Sequence, residues 1–435
     1  MNAFKVAGGR RIKGNITPQG AKNEALQVIC AVLLTKSEVT IHNIPDIADV
    51  RALMMLLELL GVIITQSQKG TYVFNAGCLN VEAINFPTFQ KKFAKIRGSI
   101  MLVAPLLARV GKLQFPSPGG DRIGRRGLNT HLTALSKLGA TFTYDQAEGA
   151  YTAVTNGFKG TYLLLDEASV TGTANVIMAA SLAQDRTTIY NAACELYIQQ
   201  LCHMLVKMGV TITGIGSNLL TIHGSDELGG AAHTIMPDMI EIGSFIGLAA
   251  ATMSDITIEK VPTQLLTPIF TGFSKLGIQL EIEKEKIRIP VQHDYKIQKD
   301  TNGTLLTLSD AIWPGFPSDL ISIAIVAAIH AKGTILIHQK MFESRLFFVD
   351  QLIEMGARLV LCDPHRVNIT GLNRTYPLRG VKMVSSDIRA GIALLIAALA
   401  AEGTSRIDNI QQIDRGYERI DERLNALGAS IERIH

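Results

Sequence analysis

The sequence lacks a strong excess of charge of either sign. Its 435 residues carry 42 lysines and arginines against 38 acidic residues, and all four charged types make up only 18% of the chain. A net charge of +4 argues against a general nucleic-acid binder, although it leaves room for a local anion site. Hydrophobic residues make up 47%, as in a well-packed globular protein, and the length predicts two or more domains.

Paired cysteines and long apolar runs are also missing. The five cysteines show no CxxC spacing and no histidines at zinc spacing, which indicates reduced core thiols in a cytoplasmic protein. The N-terminus lacks the apolar segment of a secretory signal. The longest apolar run, Ile392–Ala401, is too short to cross a bilayer and predicts a buried helix, so we expect no membrane insertion.

A helix-ending pattern occurs six times along the chain. Each copy is an amphipathic stretch that ends in Leu-Gly, Met-Gly or a close variant and precedes a strand-like segment, at intervals of 68 to 79 residues. A glycine just after a helix adopts the left-handed conformation at little cost. The pattern therefore predicts six helix C-termini, followed by Gly61, Gly139, Gly209, Gly277, Gly356 and Gly428.

A second series of helices alternates with the first. Each begins polar and then stays apolar on all sides, from "GAKNEALQVICAVLLT" to "SDIRAGIALLIAALAAEG", and a short strand follows each one. Helices of this kind are buried on every side. We therefore expect an α/β protein of six repeats, three per domain, in which buried helices are covered by strands and outer helices.

The domain boundaries follow from the repeats. The first domain is expected over residues 22–236, and the second over 1–21 plus 237–435, with chain crossings near residues 20 and 237. The first strand, "AFKVAGG", precedes the first repeat and is free to join the last one. That arrangement places both chain ends in one domain.

The polar starts of the buried helices are the first candidate site. They contain Lys22, Asn23, Arg97, Ser169, Asp319, Asp387 and Arg389. Helix N-termini attract anions, so a cation at this position needs a reason, such as a bound anion. For the acids, the simpler interpretation is N-capping, and it is preferred for Asp319 and Asp387 when each is considered alone.

The loops before the glycine-ended helices are the second candidate site. They contain Arg122, Arg125, Arg126, Arg345 and Arg415. Simpler alternatives exist for these loops. Arg415 could pair with Asp414 or Glu418, and Arg345 could pair with Glu343. The segment Gly119-Gly120-Asp121 could be a tight turn. Together, however, the cations fall at corresponding ends of several repeats, where they would surround a small, highly charged anion.

Six motifs in order resemble the UDP-N-acetylglucosamine 1-carboxyvinyltransferases of the enolpyruvyl transferase family. They are "GAKN" from Gly20, "PGGDRIGRR" from Pro118, "FPSD" from Phe316, "FESR" from Phe342, "SDIRA" from Ser386 and "IDRGYERI" from Ile413. The resemblance implies two inside-out α/β barrels that close around the substrates. It implies transfer of enolpyruvyl from phosphoenolpyruvate to the 3′-hydroxyl of UDP-N-acetylglucosamine, with phosphate release and without a metal or organic cofactor.

The resemblance also implies residue roles. Phosphoenolpyruvate would be held by Lys22, Arg126, Arg345, Arg389 and Arg415. UDP-N-acetylglucosamine would be contacted by Asn23, Arg97, Ser169, Val170, Asp319 and Arg345. Asp319 would take the 3′-hydroxyl proton as general base. Asp387, next to Arg389, would help in the elimination step. The resemblance also implies catalytic roles for Lys22 and Arg415.

This chain departs from the family pattern at three places. Asp121 stands where many relatives have a cysteine that gives a proton to the substrate, Gly127 replaces a usual proline, and "ACELY" from Ala193 changes a uridine-side contact near Glu195. A carboxyl group can donate the proton only if it is protonated when needed. Because the epoxide fosfomycin alkylates the family thiol, we expect this chain to be insensitive to it.

Two alternatives remain open at the level of sequence. A 3-phosphoshikimate 1-carboxyvinyltransferase would share the fold and chemistry, but its early motif is closer to "GSKS" than to "GAKN". A non-catalytic anion- or nucleotide-binding repeat protein would keep the cations without the reaction. Small-molecule substrates, and neither nucleic acid nor membrane, are the expected partners.

Overall fold

The polypeptide divides into two units. A computed structural model describes residues 2–121, 123–124 and 126–434. The terminal unit comprises residues 2–19, 123–124 and 237–434, and the central unit comprises 20–121 and 126–236. The expected first domain ran without a break from residue 22 to 236. Instead, Ile123 and Gly124 group with the terminal unit, where the Ser344 amide donates to the Ile123 carbonyl at 3.2 Å.

The elements are numbered in chain order. The helices are α1 (Lys22–Ala31), α2 (Ala48–Leu59), α3 (Pro87–Phe93), α4 (Val103–Val110), α5 (Asn129–Lys137), α6 (Val170–Ala180), α7 (Leu196–Lys207), α8 (Met239–Ala251), α9 (Thr267–Lys275), α10 (Ile321–His330), α11 (Val349–Glu354), α12 (Ile388–Ala400), α13 (Gln411–Asp414) and α14 (Ile420–Asn425). Short 3₁₀ helices cover Val32–Leu34, Val81–Asn85, Arg97–Leu102, Thr263–Leu265 and Ser318–Leu320.

In the part of the chain that the structure describes, the strands belong to six sheets, three in each unit. They are β1 (Ala3–Ala7), β2 (Lys13–Ile16), β3 (Val39–His42), β4 (Ile63–Gln68), β5 (Thr71–Asn75), β6 (Lys112–Pro116), β7 (Ala140–Asp145), β8 (Ala150–Thr155), β9 (Tyr162–Leu164), β10 (Arg186–Tyr190), β11 (Thr211–Thr213), β12 (Leu219–His223), β13 (Ala231–Thr234), β14 (Asp255–Glu259), β15 (Glu281–Ile282), β16 (Lys286–Ile289), β17 (Leu306–Ser309), β18 (Thr334–His338), β19 (Leu359–Asp363), β20 (Arg366–Thr370), β21 (Lys382–Val384), β22 (Thr404–Asp408) and β23 (Ile431–Ile434).

The helices that are apolar on all sides form the centre of each unit, as the sequence predicts. In the terminal unit, α8, α10 and α12 pack on one another, and every residue of α10 is buried. In the central unit, α6 packs against both α1 and α4. Because all sides of these helices are covered, each unit is an α/β barrel with its helices inside and its sheets outside, the fold class expected from the repeats.

The sheets show how the first strands are used. In the terminal unit the sheet orders are β21-β22-β1-β23, β15-β16-β14-β2 and β17-β18-β20-β19. In the central unit they are β11-β12-β10-β9, β13-β3-β5-β4 and β6-β8-β7. β1 lies antiparallel between β22 and β23, which confirms that the last repeat borrows the N-terminal strand.

All six repeat glycines have the left-handed backbone that the sequence predicts. Their φ angles lie between +85° and +109°, and each follows an outer helix. After α2, for example, the Val62 amide donates to the Leu57 carbonyl and the Gly61 amide to the Glu58 carbonyl, both at 3.0 Å. These two bonds satisfy carbonyls that the end of a helix leaves open.

Two buried glutamates fix the backbone beside the chain crossings. In the central unit, Glu24 in the first turn of α1 accepts from the Met236 amide at 3.1 Å. In the terminal unit, Glu241 in the first turn of α8 accepts from the Gln19 amide at 2.7 Å. Each acid therefore belongs to the helix that follows one crossing and holds the residue that precedes the other.

Candidate active site

The central unit places Lys22 at the first position of α1. Its side chain is buried, and its Nζ lies 2.7 Å from Oδ2 of Asp49, in the first turn of α2. A cation at the positive end of a helix is unfavourable on dipole grounds, so the paired carboxylate compensates for it. Asn23 follows in the same turn and is partly exposed.

Arg97 begins a 3₁₀ helix that precedes α4. Its Nη2 donates to the Gly127 carbonyl at 2.8 Å, and its Nε is buried without a hydrogen-bond partner among the described residues. Burial and the charge of Arg126 lower the pKa of Arg97 to about 10, against the opposing effect of Glu167. A desolvated guanidinium beside a second one is the electrostatic setting that an anionic ligand would relieve.

The loop that leads to Asp121 packs closely on the residues before Arg97. A β-carbon on Gly119 would lie 2.2 Å from the Ala94 carbonyl oxygen, and one on Gly120 would lie 2.8 Å from the Arg97 β-carbon. Gly120 also has a φ of +109°. Only glycine permits this approach, so the glycine pair holds the loop against Arg97.

Asp121 and Arg126 are both half-buried at the two ends of this loop. Arg122 and Arg125, the other predicted cations of the loop, lie outside the described residues. The electrostatic effect of Arg126 on Arg97 places these two predicted ligands near each other.

Ser169 is the N-cap of α6, and its Oγ accepts from the Gly172 amide at 3.3 Å. The next residue, Val170, is the first of the helix and is partly exposed. The predicted UDP-sugar contacts Ser169 and Val170 are thus at a helix N-terminus, where free amides favour phosphate.

A buried histidine lies beneath this helix start. Asn175 donates through Nδ2 to both the Ile100 carbonyl and His131 Nδ1, each at 2.9 Å. Nδ1 therefore carries no proton, and His131 Nε2 donates to Thr171 Oγ1 at 3.1 Å. Burial and the Arg97 charge lower the pKa of His131 to about 3, which keeps the ring neutral.

The terminal unit brings three predicted site residues into direct contact. Arg345 Nη1 donates to Asp319 Oδ1 at 2.6 Å, and Arg389 Nη2 donates to Asp319 Oδ2 at 2.8 Å. Both arginines are at most 8% exposed, whereas the Asp319 side chain is 23% exposed. The guanidinium of Arg345 also lies over the Phe342 ring, 4.6 Å from its centre.

The two guanidiniums control the acidity of Asp319. Burial alone would raise its pKa, but the charges and hydrogen bonds of Arg389 and Arg345 outweigh burial and hold the pKa below its usual value. The carboxylate is therefore ionised over the whole neutral range and is a weak base while both pairs persist.

A directed hydrogen-bond chain fixes Arg389. Its Nη1 donates to the Tyr417 hydroxyl at 3.2 Å. Ser244 donates its hydroxyl proton to the Ile240 carbonyl, so at 2.9 Å it must accept from Tyr417. Burial raises the pKa of Tyr417 to about 12, which keeps the phenol protonated for this role.

The N-capping expectation is correct for Asp387 and wrong for Asp319. Asp387 caps α12 by accepting from the amides of Arg389 and Ala390 at 2.9 and 3.1 Å. Asp319 lies within a 3₁₀ turn and makes no capping bond, because its two oxygens are taken by distant arginines. The simpler alternative for Arg345, a pair with Glu343, is also replaced by this contact.

Arg415 lies beside Tyr417 on the loop after α13. Its Nη1 donates to Gln412 Oε1 at 2.7 Å. Asp414, one of its two expected surface partners, is bound through both oxygens by Arg433 at 2.8 and 2.9 Å. The predicted site residues thus form two groups, one within each unit.

Sequence reasoning missed the groups that hold the site residues. Tyr417 stands inside the quoted motif "IDRGYERI", and this position was the usable signal, whereas its full burial is seen only in the structure. Asp49 and Asn175 stand in helices and carry no motif, so only their spatial contacts to Lys22 and His131 reveal their roles.

Comparison with known proteins agrees with this geometry. The profile of the family described as EPSP synthase (3-phosphoshikimate 1-carboxyvinyltransferase) matches residues 6–424. Proteins named UDP-N-acetylglucosamine 1-carboxyvinyltransferase from Bacteroides thetaiotaomicron and Porphyromonas gingivalis are 55% and 54% identical over 434 residues, which is the full length of each. The chain belongs to the enolpyruvyl transferase family. The resemblance carried by the six motifs is thereby confirmed.

Solved structures confirm the enolpyruvyl transferase fold. The enolpyruvyl transferase NikO from Streptomyces tendae superposes with a TM-score of 0.85 at 20% identity, covering 100% of this chain and 99% of that one. An EPSP synthase from Acinetobacter baumannii gives 0.73 at 17% identity, with full coverage of both chains. Within the described part of this transferase, no helix is long and apolar enough to cross a membrane.

Proposed function

We propose that this chain transfers the enolpyruvyl group of phosphoenolpyruvate to the 3′-hydroxyl of UDP-N-acetylglucosamine and releases phosphate. The observation that carries the proposal is the carboxylate of Asp319 held between Arg345 and Arg389, in a chain whose full-length relatives bear the name of this activity. The reaction would be the first committed step of peptidoglycan precursor synthesis. We place this step in the cytoplasm, where five cysteines without CxxC spacing would stay reduced.

The charges of the two substrates suggest how the residues divide. Phosphoenolpyruvate carries a phosphate and a carboxylate, which guanidinium and ammonium groups bind well. We assign to it Lys22, Arg126, Arg345, Arg389 and Arg415. The helix start at Ser169 and Val170 suits the diphosphate of the UDP-sugar. Asn23, Arg97, Asp319 and Arg345 complete its proposed contacts.

The proposed chemistry is addition followed by elimination. Asp121 gives a proton to the methylene carbon of phosphoenolpyruvate, while the sugar 3′-oxygen bonds to the adjacent carbon and Asp319 takes the hydroxyl proton. The product is a phosphorylated tetrahedral ketal. A proton of the new methyl group then passes to the Asp121 carboxylate as the carbon–oxygen bond to phosphate breaks, and the proton held by Asp319 leaves with the phosphate. Asp387 and Arg389, at the start of α12, assist this elimination.

The low pKa of Asp319 constrains this route. A carboxylate bound by two guanidiniums accepts a proton poorly, so one pair must weaken before Asp319 acts as base. A substrate anion that engages Arg345 or Arg389 would weaken that pair and raise the pKa of Asp319. Because the free carboxylate is already ionised well below pH 4, Asp319 should not set the acid limb of kcat/KM.

Release of phosphate tests the whole proposal. The chain should release phosphate from phosphoenolpyruvate when UDP-N-acetylglucosamine is present, and should not when 3-phosphoshikimate replaces it. Release with 3-phosphoshikimate alone would support the alternative transferase. No release with either acceptor would favour a binding protein.

Replacing Asp121 tests the proton donor. Asp121→Asn should lower turnover at least a hundredfold, since it removes general acid catalysis, while calorimetry still detects UDP-N-acetylglucosamine binding. Turnover at the wild-type level would remove Asp121 from the mechanism.

Fosfomycin tests the same position independently of turnover. A carboxylate is a weaker nucleophile than a thiolate, so prolonged incubation should leave the activity unchanged and the intact mass unaltered. A stable adduct on Asp121 by mass spectrometry would contradict this expectation.

A further inference from the structure

We infer that Asp310 is a positioning residue that holds Asp319 and Arg345 in register. Asp310 directly follows β17 and is fully buried. Its carboxylate accepts from the amides of Lys340 and Met341, at 2.5 and 3.3 Å, and from Nε2 of Gln339. A buried carboxylate with three N–H donors is well compensated and geometrically defined.

The first segment that Asp310 fixes leads to Arg345. Gln339, Lys340 and Met341 form the start of the loop after β18, and Arg345 lies further along the same loop, before α11 begins at Val349. The backbone of Gln339 is held by two contacts with His365. The Gln339 backbone amide donates to the His365 carbonyl at 2.7 Å, and the Gln339 backbone carbonyl lies 2.8 Å from His365 Nδ1. The start of the loop is therefore held by hydrogen bonds to both Asp310 and His365.

The second segment carries Asp319. Gln339 Nε2 donates to Ser318 Oγ at 2.8 Å as well as to Asp310, and Ser318 immediately precedes Asp319. One buried carboxylate thus orders both chain segments whose side chains meet at 2.6 Å in the Asp319–Arg345 pair. Asp310 touches neither Arg345 nor Asp319 through any of these bonds, so it acts by placing them.

The consequence for catalysis follows from the tolerance of such sites. A displacement of about 1 Å in a reacting group can cost roughly a hundredfold in rate. If Asp319 is the general base, loss of the Asp310 acceptor should lower kcat rather than binding of the UDP-sugar. This step rests on the proposed function.

The test exchanges the hydrogen-bond acceptor and donor between positions 310 and 339 in the full-length chain. Asp310→Asn presents an NH₂ group to N–H donors, and Gln339→Glu places a second carboxylate beside Asp310. Each single variant should lose roughly ten- to a hundredfold in kcat, with KM for UDP-N-acetylglucosamine changed less than about threefold. The double variant again places one donor, at position 310, opposite one acceptor, at position 339. Its kcat should be at least about tenfold higher than that of either single variant.

A control variant tests whether changing any aspartate that accepts backbone amides lowers kcat. Asp145 also accepts two backbone amides, those of Ala147 and Glu148 at 2.8 and 3.2 Å, but in a hairpin of the central unit. Asp145→Asn should leave kcat unchanged. Hydrogen exchange, read without substrates, should become faster at residues 318–320 and 339–345 in Asp310→Asn and nowhere near β7.

Each outcome distinguishes the claims. Unchanged exchange, or faster exchange with wild-type kcat, would overturn the positioning role. Loss of activity in proportion to unfolded protein, without recovery in the double variant, would reduce Asp310 to a structural residue and would also overturn it. If the wild-type chain releases no phosphate, the proposed function itself fails. The effect of Asp310 on kcat then cannot arise, even if the exchange results agree with its placing of Asp319 and Arg345.

Discussion

The two units differ in how the charges of their buried cations are compensated. In the terminal unit one carboxylate, Asp319, neutralises two guanidiniums that are otherwise buried. In the central unit Lys22 has Asp49 as its own carboxylate, while Arg97 is desolvated next to Arg126 and its pKa falls to about 10. Under the proposed function, a substrate anion would offset the repulsion between Arg97 and Arg126 in the central unit. In the terminal unit it would instead have to displace Asp319 from one of its two arginines.

The largest effect is expected from the terminal unit. Asp319→Asn removes both the proposed general base and the partner of two buried arginines, so kcat should fall roughly a thousandfold. Steady-state phosphate release measures this loss. Asp255→Asn is the matched control, because Asp255 is bound through both oxygens by Arg288 in the same unit, and it should keep full activity. Equal losses of kcat in Asp319→Asn and Asp255→Asn would contradict a special role for Asp319.

The next effect separates ligand from partner in the central unit. Lys22→Gln should lower kcat/KM for phosphoenolpyruvate roughly a hundredfold, since it removes the lysine charge that we assign to binding this substrate. Asp49→Asn keeps that charge and should cost less than about tenfold. Each change breaks a buried pair and should destabilise the fold by about 3–5 kcal/mol, measured by urea unfolding. Equal activity losses would make the pair purely structural.

Arg97 gives a smaller, binding-specific effect. Arg97→Gln should weaken UDP-N-acetylglucosamine binding about tenfold by calorimetry, because one charge-assisted contact is lost. Arg109 is the control: burial also lowers its pKa, but it donates to the carbonyls of Leu33, Thr35 and Ala76. Arg109→Gln should reduce stability without changing affinity. A loss of affinity in Arg109→Gln would contradict the assignment.

The smallest effect concerns acid stability and is shared by the two units. Burial lowers the pKa of His131 in the central unit and of His330 in the terminal unit to about 3. Between about pH 3 and 6.5 the unfolded chain binds more protons at these positions, so stability rises with pH in this window and is complete above it. Each histidine contributes at most about 1.4 kcal/mol per pH unit there.

Substitution isolates this contribution. His131→Gln should flatten the dependence of the urea midpoint on pH between 5 and 6.5, although it also lowers stability at neutral pH through the lost Thr171 contact. An unchanged pH slope in that variant would show that acid sensitivity arises elsewhere.

Much of the fold could be predicted because its signals are local. The six glycines end helices that carry the amphipathic pattern beside them, and all six adopt a positive φ. The apolar helices are buried because no face of them is polar enough for water, and α10 and α12 follow this rule closely. The borrowed strand β1 was predictable because it precedes the first repeat and was free to join the last one, where it lies between β22 and β23.

The sequence did not predict the contacts of the candidate site residues. Asp319 has the sequence position of an N-cap, yet its partners lie 26 and 70 residues away. Asp387 has the same local signal and does cap its helix. No pattern within one repeat distinguishes the two, because the difference comes from arginines supplied by the following repeats.

The sequence by itself determined the repeat unit, the buried helices and the cations at their starts, since periodicity, glycine positions and charge are properties of short segments. Only the tertiary structure decided which charges meet. Asp49, Asp310 and Tyr417 became interpretable when packing brought them to Lys22, to the Arg345 loop and to Arg389. The energy of a buried charge depends on what surrounds it in space, and distant segments supply those surroundings.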